Sequence, residues 1–504
     1  MSRRKKQKAQ TNQVNPQAEM MQHFESILDA EDFDRLQEEL KKPYHPAIRI
    51  NPLKSKDMDF IGTLRKRYQW ETVDIPYCPN GFWITDSSQS ISKTIEHSLG
   101  QYYIQDAASM LPVELFDFEH IKEPIVLDMT ASPGGKTTHL VSRSQDRGLV
   151  IANDSSRSRL TALRIVLQNW GASHTAISNF PGEHFGGWFP EIFDAILLDA
   201  PCSMQGLRAT DAHPLRLITQ KEINSLARRQ SRLLTSAIQA LKPGGQVVYS
   251  TCTLTPEENE GVLDQVLSTF SDTIQIDPLD QIISIPVPGL SSYQEKTFHP
   301  QVKHAARLWP FSFGTAGFFA ARLTKLTSIK TKIKPAPGRP LAQAGWFILD
   351  EENLKTIDKQ LKGIYGFSLF NLLEEHDLEV WRFNNSLHLF PRLFIRRFPD
   401  LPVQSLGLLF GEITESRLTL AHDFATRFGN MATRNIFSID SEQLPKWMHG
   451  EDLVIKNPGG NSESLYIIKD NLGRIIGTGK YSLERMRNLL PKRVLISGDV
   501  SSAY

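Results

Sequence analysis

Two stretches of this sequence decide its fold: Phe193-Asp194-Ala195-Ile196-Leu197-Leu198-Asp199-Ala200-Pro201-Cys202-Ser203 and Gly245-Gln246-Val247-Val248-Tyr249-Ser250-Thr251-Cys252-Thr253. Each begins as an apolar, strand-like run and ends in polar residues and a cysteine. Between them, apolar residues recur with the 3.6-residue period of a helix that covers a sheet. A strand, a helix and a second strand of these lengths predict a βαβ unit with two parallel strands.

The two cysteines lie where such a unit binds ligands. In open α/β sheets the ligand site is a crevice at the carboxyl ends of the strands. We therefore expect Cys202 and Cys252 to face one crevice. Free cysteine is also a common core residue. That interpretation is less favoured here, because both cysteines follow the polar end of a run instead of lying inside it.

The neighbouring sequence extends this unit into a parallel α/β domain. It predicts a first strand, a loop, a helix that begins near Lys136, a second strand, a helix that ends at Gly171, a short third strand and a late edge strand. The predicted strands are Pro124–Met129, Gly148–Ala152, Ala176–Ile177 and, as the late edge strand, Gly317–Leu323. The loop is Thr130–Thr137, and the second helix is Ser158–Trp170.

Composition restricts the class of protein. A chain of 504 residues predicts two to four domains, and 40% apolar with 22% charged residues is typical of globular proteins. Three cysteines are too few for a disulfide framework and favour a reducing cytoplasm. We find no run of about 18 apolar residues, so no membrane span is expected. The basic amino terminus lacks the apolar core of a signal peptide.

The net charge of +1 means that any contact with nucleic acid must come from local basic patches. One patch is a basic arm at 1–19, which we expect to be disordered. Another is a proline-containing basic linker at 325–344. The third comprises Lys480, Arg485, Arg487, Lys492 and Arg493. Each of them can equally be an ordinary solvated surface.

Two chemistries fit the first loop. Gly135-Lys136-Thr137 is similar to the end of a P-loop, with Asp199 as the aspartate that positions magnesium, but the leading glycine is replaced by Thr130 and Pro133 removes an amide. The alternative is a nucleoside cofactor on this loop, with its ribose held by an acidic residue at the end of the second strand. Asp154 stands at that position. Only the second interpretation also uses the cysteines.

Methyl transfer to carbon explains the thiols. Carbon 5 of cytosine is a poor nucleophile, and a thiolate that adds to carbon 6 turns the ring into an enamine able to attack a methyl donor. Methylation of an exocyclic amine needs no thiol and commonly uses a D/N-P-P-Y/F sequence, where this chain has Asp199-Ala200-Pro201-Cys202. The additional Cys252 distinguishes the chain from DNA cytosine-C5 enzymes, which use only a proline-cysteine thiol.

These motifs resemble the NOL1/NOP2/Sun family of RNA cytosine-C5 methyltransferases, and within it the bacterial branch that acts on small-subunit ribosomal RNA. The resemblance runs from about Arg49 almost to the carboxyl end. Its motifs are Arg49-Ile50-Asn51, Pro76-Tyr77-Cys78, Gly81-Phe82-Trp83, Tyr103 through Met110, Asp128 with Pro133 through Thr137, Asp199 through Ser203, Ser250 through Leu254, and Glu257 through Glu260.

The resemblance implies a fold and a reaction. The fold is α/β, a class I S-adenosylmethionine-dependent methyltransferase with a Rossmann-like, mostly parallel sheet. The reaction is transfer of a methyl group from S-adenosylmethionine to carbon 5 of an RNA cytosine, with 16S ribosomal RNA favoured and transfer RNA as the alternative. A P-loop NTPase and a non-catalytic RNA-binding protein remain as further alternatives. No metal site is implied, and the expected protein is a cytoplasmic monomer whose partner is ribosomal RNA or the small subunit.

By the same resemblance, Cys252 is the nucleophile, Cys202 assists product release, and Asp199 contacts the base or the cofactor. Asp154 holds the ribose, and Cys78 is structural. The methionine end of the cofactor is assigned to Thr130, Ala131, Ser132, Pro133, Gly134, Gly135 and Lys136.

The chain departs from the family pattern at three places. An aspartate near the adenine is replaced by Pro181, the small residue after Ser203 is Met204, and a basic pair is reduced to Arg208 followed by Ala209 and Thr210. The expected domains are the arm, an amino-terminal RNA-side domain at 20–115, the catalytic domain at 116–324, the linker, a small α/β connecting domain at 345–395 and a PUA-like, β-rich RNA-binding domain at 396–504.

Overall fold

The structure is a computed structural model that describes residues 21, 23–55, 57, 59–208, 216–414, 417–456 and 463–497. The predicted basic arm, Ala209 and Thr210 lie outside these residues. Within the described part of the chain, no helix combines the length and the apolar character needed to cross a membrane.

The amino-terminal region is built on a four-stranded antiparallel sheet with the strand order β2-β3-β1-β4. Its buried residues share one core with the last sheet of the chain, where Ile48 and Trp70 join a cluster with Trp447 and Ile468. The elements of this region are α1 (Ala30–Lys41), β1 (Ala47–Ile50), α2 (Phe60–Tyr68), β2 (Glu71–Asp74), β3 (Gly81–Asp86), α3 (Ile95–Ser98), β4 (Tyr102–Ile104) and α4 (Leu111–Glu114).

The central region alternates strands and helices, as the sequence predicts. Its elements are β5 (Ile125–Asp128), α5 (Gly135–Arg143), β6 (Leu149–Asn153), α6 (Leu160–Trp170), β7 (Thr175–Ser178), α7 (Phe185–Trp188), β8 (Phe193–Asp199), α8 (Gln220–Ala240), β9 (Leu241–Thr251), α9 (Glu260–Phe270), β10 (Ile274–Ile276), β11 (Ser292–Tyr293), β12 (Lys296–Thr297), β13 (Ala306–Leu308), α10 (Pro310–Phe313) and β14 (Phe318–Lys325).

Five parallel strands form the centre of the main sheet, in the order β9-β8-β5-β6-β7. Strands β8 and β9 are adjacent and parallel, with Ile196 opposite Val247, which confirms the predicted βαβ unit. Helix α8 covers this pair, and its N-cap residue is Thr219, whose side chain accepts a hydrogen bond from the Glu222 amide. The arrangement is a mostly parallel α/β sheet, as predicted.

One strand assignment is wrong. The predicted late edge strand, β14, lies inside the sheet, because it pairs antiparallel with β9 on one side and with β10 and β13 on the other. Strands β10 and β13 have three residues each, too few for a recognisable period-2 pattern.

The carboxyl-terminal region contains two further sheets, ordered β15-β16-β17-β19-β20 and β21-β23-β24-β25-β22. Its elements are β15 (Trp346–Ile348), α11 (Glu351–Ile364), α12 (Leu369–Glu375), β16 (Leu378–Phe383), β17 (Ser386–Pro391), α13 (Arg392–Arg397), β18 (Ser405–Leu406), β19 (Leu408–Thr414), β20 (Arg417–Leu420), α14 (His422–Phe428), β21 (Ile436–Ser438), α15 (Gln443–Met448), β22 (Leu453–Val454), β23 (Glu463–Lys469), β24 (Ile475–Ser482) and β25 (Arg485–Asn488).

The boundary placed between 395 and 396 does not separate two structural units. Strands β15 to β17 precede it and β19 and β20 follow it, yet all five form one sheet. Strand β18 also joins the main sheet, where Ser405 pairs with Ile177 of β7. The predicted division fails because these contacts are non-local, and the sequence period reports only local structure.

Candidate active site

The two thiols meet at the carboxyl ends of β8 and β9. Cys202 follows the end of β8 by three residues, and Cys252 follows β9 directly. Their Sγ atoms are 3.3 Å apart, and both side chains are half-buried. The structure therefore brings the two thiols together at the carboxyl edge of the sheet, where both side chains are partly exposed.

The two thiols differ in their electrostatic surroundings. The hydrogen bond with Cys252 raises the pKa of Cys202 well above its usual range, and burial and the charges of Cys252 and Glu258 act in the same direction. These surroundings disfavour the thiolate form of Cys202.

A partly buried ion pair lies near Cys252. The Nζ of Lys136 lies 2.7 Å from Oδ2 of Asp199, and Oδ1 of Asp199 accepts a hydrogen bond of 2.9 Å from the Ser250 hydroxyl. Burial lowers the pKa of Lys136, but the charges of Asp199 and Cys252 more than offset this, and the pKa is raised above its usual value. The charged form of Lys136 is thus favoured, and a cation next to a cysteine favours the thiolate.

The predicted cofactor loop, 130–136, connects β5 to α5. It is fixed at both ends, because the Thr130 hydroxyl donates to the Asp199 carbonyl at 2.8 Å and the Thr137 hydroxyl donates to Asp128 at 2.7 Å. Gly134 has φ +117°, and a Cβ there would come within 3.1 Å of Leu163. A side chain is therefore excluded at Gly134, where the backbone turns into the helix.

Asp154 follows β6, as the ribose prediction requires. It is buried, with its carboxylate accepting the backbone amides of Ser132 at 3.1 Å and Ser156 at 2.8 Å. Two oxygens offer about four acceptor sites, so acceptor capacity remains for ribose hydroxyls. The Ser132 hydroxyl nearby is buried and has no hydrogen-bond partner among the described residues. An unsatisfied polar atom of this kind, next to a fixed carboxylate, fits a polar nucleoside cofactor on this loop.

Met204 occupies the position where a small residue is usual, and the backbone explains the family pattern. Its φ is +59°, in the left-handed region that costs about 1–2 kcal/mol for a residue with a Cβ. We expect Met204→Gly to unfold at a higher temperature than Met204→Ala, with a difference of about 1 kcal/mol in the free energy of unfolding. Both variants lose the same side chain beyond Cβ. Equal thermal midpoints would show that the turn carries no strain.

The two remaining departures, Pro181 and Arg208, and the third cysteine, Cys78, make contacts other than with the Cys202–Cys252 pair. Pro181 is exposed and precedes the short turn Gly182–His184. Arg208 packs on α1 and is bonded to Glu39 at 3.1 Å, so its role here is a contact with the amino-terminal region. Cys78 is buried, and its thiol is hydrogen-bonded to Glu114.

Several supporting residues were not assigned by the sequence. Ser250 bonds Asp199, and Asn259 holds the Cys252 turn by donating to the Thr253 carbonyl at 2.9 Å. Arg49 extends from β1 and donates to the Gly135 carbonyl at 3.0 Å, which ties the amino-terminal sheet to the cofactor helix. All three residues belong to motifs quoted for the family, but a motif alone does not tell which neighbour a side chain reaches.

Family comparisons agree with this geometry. The family described as 16S rRNA methyltransferase RsmB/F matches residues 118–324, and the N-terminal domain of 16S rRNA methyltransferase RsmF matches residues 17–107. The chain is similar to Ribosomal RNA small subunit methyltransferase F of Aeromonas salmonicida, with 32% identity over 96% of this chain and 98% of that protein. The same protein of Erwinia tasmaniensis is 33% identical over 96% and 97% of the two chains.

Solved structures share the central fold. A methyltransferase homolog protein from Pyrococcus horikoshii is 34% identical with a TM-score of 0.52, over 59% of this chain and 92% of that chain. The NSun6 structure from the same organism, at 22% identity and a TM-score of 0.50 over 62% and 98% of the chains, supports the fold alone. The P-loop alternative is therefore wrong. The chain belongs to the 16S rRNA methyltransferase RsmB/F family, and its methyl donor is S-adenosylmethionine.

Proposed function

We propose that this chain methylates carbon 5 of a cytosine in 16S ribosomal RNA through a covalent adduct between Cys252 and carbon 6. The observation that carries the proposal is the pair of sulfurs 3.3 Å apart beside the Lys136–Asp199 ion pair. Methylation of an amine or a hydroxyl requires neither thiol. Ribosomal RNA is favoured over transfer RNA because the relatives that align over nearly the whole chain are named for the small ribosomal subunit.

The first step is nucleophilic addition. The thiolate of Cys252, stabilised by Lys136, donates an electron pair to carbon 6 of the cytosine, and the carbon 5–carbon 6 π electrons move into the ring. Asp199, held by Lys136 and Ser250, is placed to bond the polar edge of the base. The target must leave its stack to reach this crevice. The 130–136 loop and Asp154 would hold S-adenosylmethionine, whose electrophilic methyl group would be the acceptor for the electron pair at carbon 5.

The second step releases the product. Once the Cys252 sulfur is bonded to carbon 6 it is a neutral thioether, so its hydrogen bond with Cys202 is weakened and its charge is removed, and both of these had raised the pKa of Cys202. The Cys202 proton passes to solvent, and the resulting thiolate takes the proton from carbon 5. The electron pair of that bond re-forms the carbon 5–carbon 6 double bond, and Cys252 leaves as a thiolate. One proton is released per methyl group transferred.

Bisulfite sequencing of total RNA from a strain without the gene tests the substrate. We expect loss of one modified cytosine in 16S ribosomal RNA and its return when the intact gene is restored. Restoration by a gene that carries Cys252→Ala is the matched negative control. A lost site in transfer RNA, with ribosomal RNA unchanged, would transfer the assignment to the alternative substrate.

We further propose that the last sheet and its basic edge contact RNA phosphates, as a PUA-like domain would. Arg485 and Arg487 are both exposed on β25, on either side of the buried Met486. Two cations on one face of an edge-region strand suit a phosphate backbone. Such contacts position the RNA and leave the choice of base to the crevice.

Asp154→Ala tests the ribose assignment. Loss of a hydrogen bond to a charged group costs about 1.5–3 kcal/mol, which corresponds to roughly ten- to a hundredfold weaker binding of S-adenosylmethionine. Calorimetric titration measures this affinity directly. Asp194→Ala is the matched control, because Asp194 lies at the opposite end of β8, where it bonds Lys242 at 2.7 Å. Unchanged affinity in Asp154→Ala would remove the residue from the cofactor site.

A further inference from the structure

Glu258 lies beneath the thiol pair and has no assigned role. It follows Cys252 by six residues and is completely buried, with 0% exposure. A buried carboxylate is expensive unless donors satisfy it. The hydrogen-bond donors to Glu258 therefore indicate which parts of the site it holds together.

Each donor to Glu258 belongs to a different part of the site. Its Oε2 accepts the Ser203 amide at 3.0 Å and the Gln230 side-chain amide at 2.8 Å, and its Oε1 accepts the Thr255 hydroxyl at 2.7 Å. Ser203 is the neighbour of Cys202, Gln230 lies on α8, and Thr255 belongs to the turn that follows Cys252. One carboxylate thus joins both cysteine turns to the helix between them.

Further contacts hold the Cys202 turn on both sides of the cysteine. We call Glu258 and its three hydrogen-bond donors the clamp. The Gln230 side chain also donates to the Pro201 carbonyl at 2.9 Å, so the residues on both sides of Cys202 are fixed through Glu258. The hydroxyls of Ser203 and Thr253 are 2.9 Å apart and link the turns directly. The distance between the two sulfurs depends on the relative positions of the two cysteine turns. Because the clamp fixes those positions, it also sets the distance between the sulfurs.

The negative charge of Glu258 acts on the Cys202 side of the thiol pair. Burial raises the pKa of Glu258 above its usual value, although the hydrogen bonds from Ser203, Thr255 and Gln230 oppose this shift. Two of these donors are amide N–H groups, which cannot accept a proton and favour the carboxylate form. The other groups facing Glu258 are Tyr249 and Arg216, and those facing Cys202 are Cys252, Glu258 and Tyr249.

We propose that Glu258 is a positioning residue that fixes the two cysteine turns against each other and places a negative charge on the Cys202 side of the pair. The proposal rests on the proposed function for its catalytic meaning. A charge at this place disfavours ionisation of Cys202 in the resting enzyme, so the role of nucleophile falls to Cys252, near Lys136. The two chemically identical side chains thereby acquire different roles.

Glu258→Gln removes the charge and keeps the shape. An amide oxygen can still accept from Ser203 and Gln230, and the amide nitrogen can donate to the Thr255 hydroxyl. The matched control is Glu257→Gln, the same change one residue earlier, where the side chain instead bonds Gln220 at 2.9 Å. Each substitution is combined with Cys252→Ala, so that Cys202 is the only thiol of the pair.

The measurement is the rate of alkylation of Cys202 by iodoacetamide against pH, located by peptide mass spectrometry. We expect Glu258→Gln to move the midpoint down by about one unit, which makes alkylation roughly tenfold faster below the midpoint. Glu257→Gln should leave the profile in place. An unmoved profile in a folded Glu258→Gln protein would overturn the proposal.

Two further measurements cover the remaining outcomes. If Glu258→Gln does not fold, Glu258→Asp keeps the charge but withdraws it by one methylene, and we expect a smaller shift in the same direction; no shift there contradicts the proposal. The same substitutions with Cys202→Ala should move the Cys252 profile less than the Cys202 profile. Alkylation needs no methyl transfer, so this result stands apart from whether ribosomal RNA is the substrate.

Discussion

Cys252→Ala is expected to lower methylation by a factor on the order of 10⁴ or more, because among the described residues Cys252 is the thiol next to Lys136, and its removal leaves no thiolate there to add to carbon 6. Transfer of labelled methyl groups from S-adenosylmethionine to RNA measures the loss. Binding of the cofactor and of RNA should persist, since neither depends on the thiol. The expected result is thus a loss of kcat with unchanged affinities.

The fold around position 252 should tolerate the change. The Cys252 turn is held by Asn259 and by the contacts of Glu258, none of which uses the Cys252 sulfur. The matched control is Cys78→Ala, which removes the third thiol from a buried position in the amino-terminal region. That variant should methylate RNA. Substantial methylation by Cys252→Ala would show that the addition uses another nucleophile or does not occur.

The position of the thiols was predictable because it follows from topology. Parallel strands β8 and β9 end at the same edge of the sheet, so the residues that follow them, including Cys202 and Cys252, meet there regardless of detail. The same rule placed Asp154 after β6. The hydrophobic periodicity of the sequence and the general rule for ligand sites in α/β sheets were sufficient to predict this part of the site.

The clamp beneath the thiols was not predictable in this way. Glu258 precedes α9 by two residues, but its side chain accepts the backbone amide of Ser203, which lies 55 residues earlier in the chain. Neither hydrophobic period nor spacing reports such a contact. The sequence offered one signal, the polar run Glu257 through Glu260 immediately after an apolar strand and turn, since charged residues are rarely buried without partners.

The carboxyl-terminal boundary failed for a related reason. Strand β18 has only two residues, yet it extends the main sheet through Ser405 and brings Leu406 into the same core as Ile196. Arg427 reaches Asp146 at 2.6 Å and makes a second bridge between the regions. The catalytic sheet is completed by residues far along the chain, so a truncation at 396 would remove part of its core.

Cys202→Ala should trap the enzyme on its substrate. Cys252 can still add to carbon 6 and the methyl group can still be transferred, but no base stands 3.3 Å from the Cys252 sulfur to take the proton from carbon 5. Without that proton transfer the carbon 6–sulfur bond persists. The protein is then expected to accumulate joined to RNA, as a slow band on a denaturing gel that nuclease treatment removes.

The double variant decides which thiol makes the bond. Cys202→Ala with Cys252→Ala should give no slow band, because no thiolate remains to add to the base. If the roles were reversed, as in the DNA enzymes whose proline-cysteine thiol attacks, Cys252→Ala would form the band and Cys202→Ala would be inert. Lys136 argues against that reversal, since its charge stabilises a thiolate at Cys252, while Glu258 opposes one at Cys202. A covalent band from Cys252→Ala alone would therefore contradict both the assignment of the nucleophile and the electrostatic argument for it.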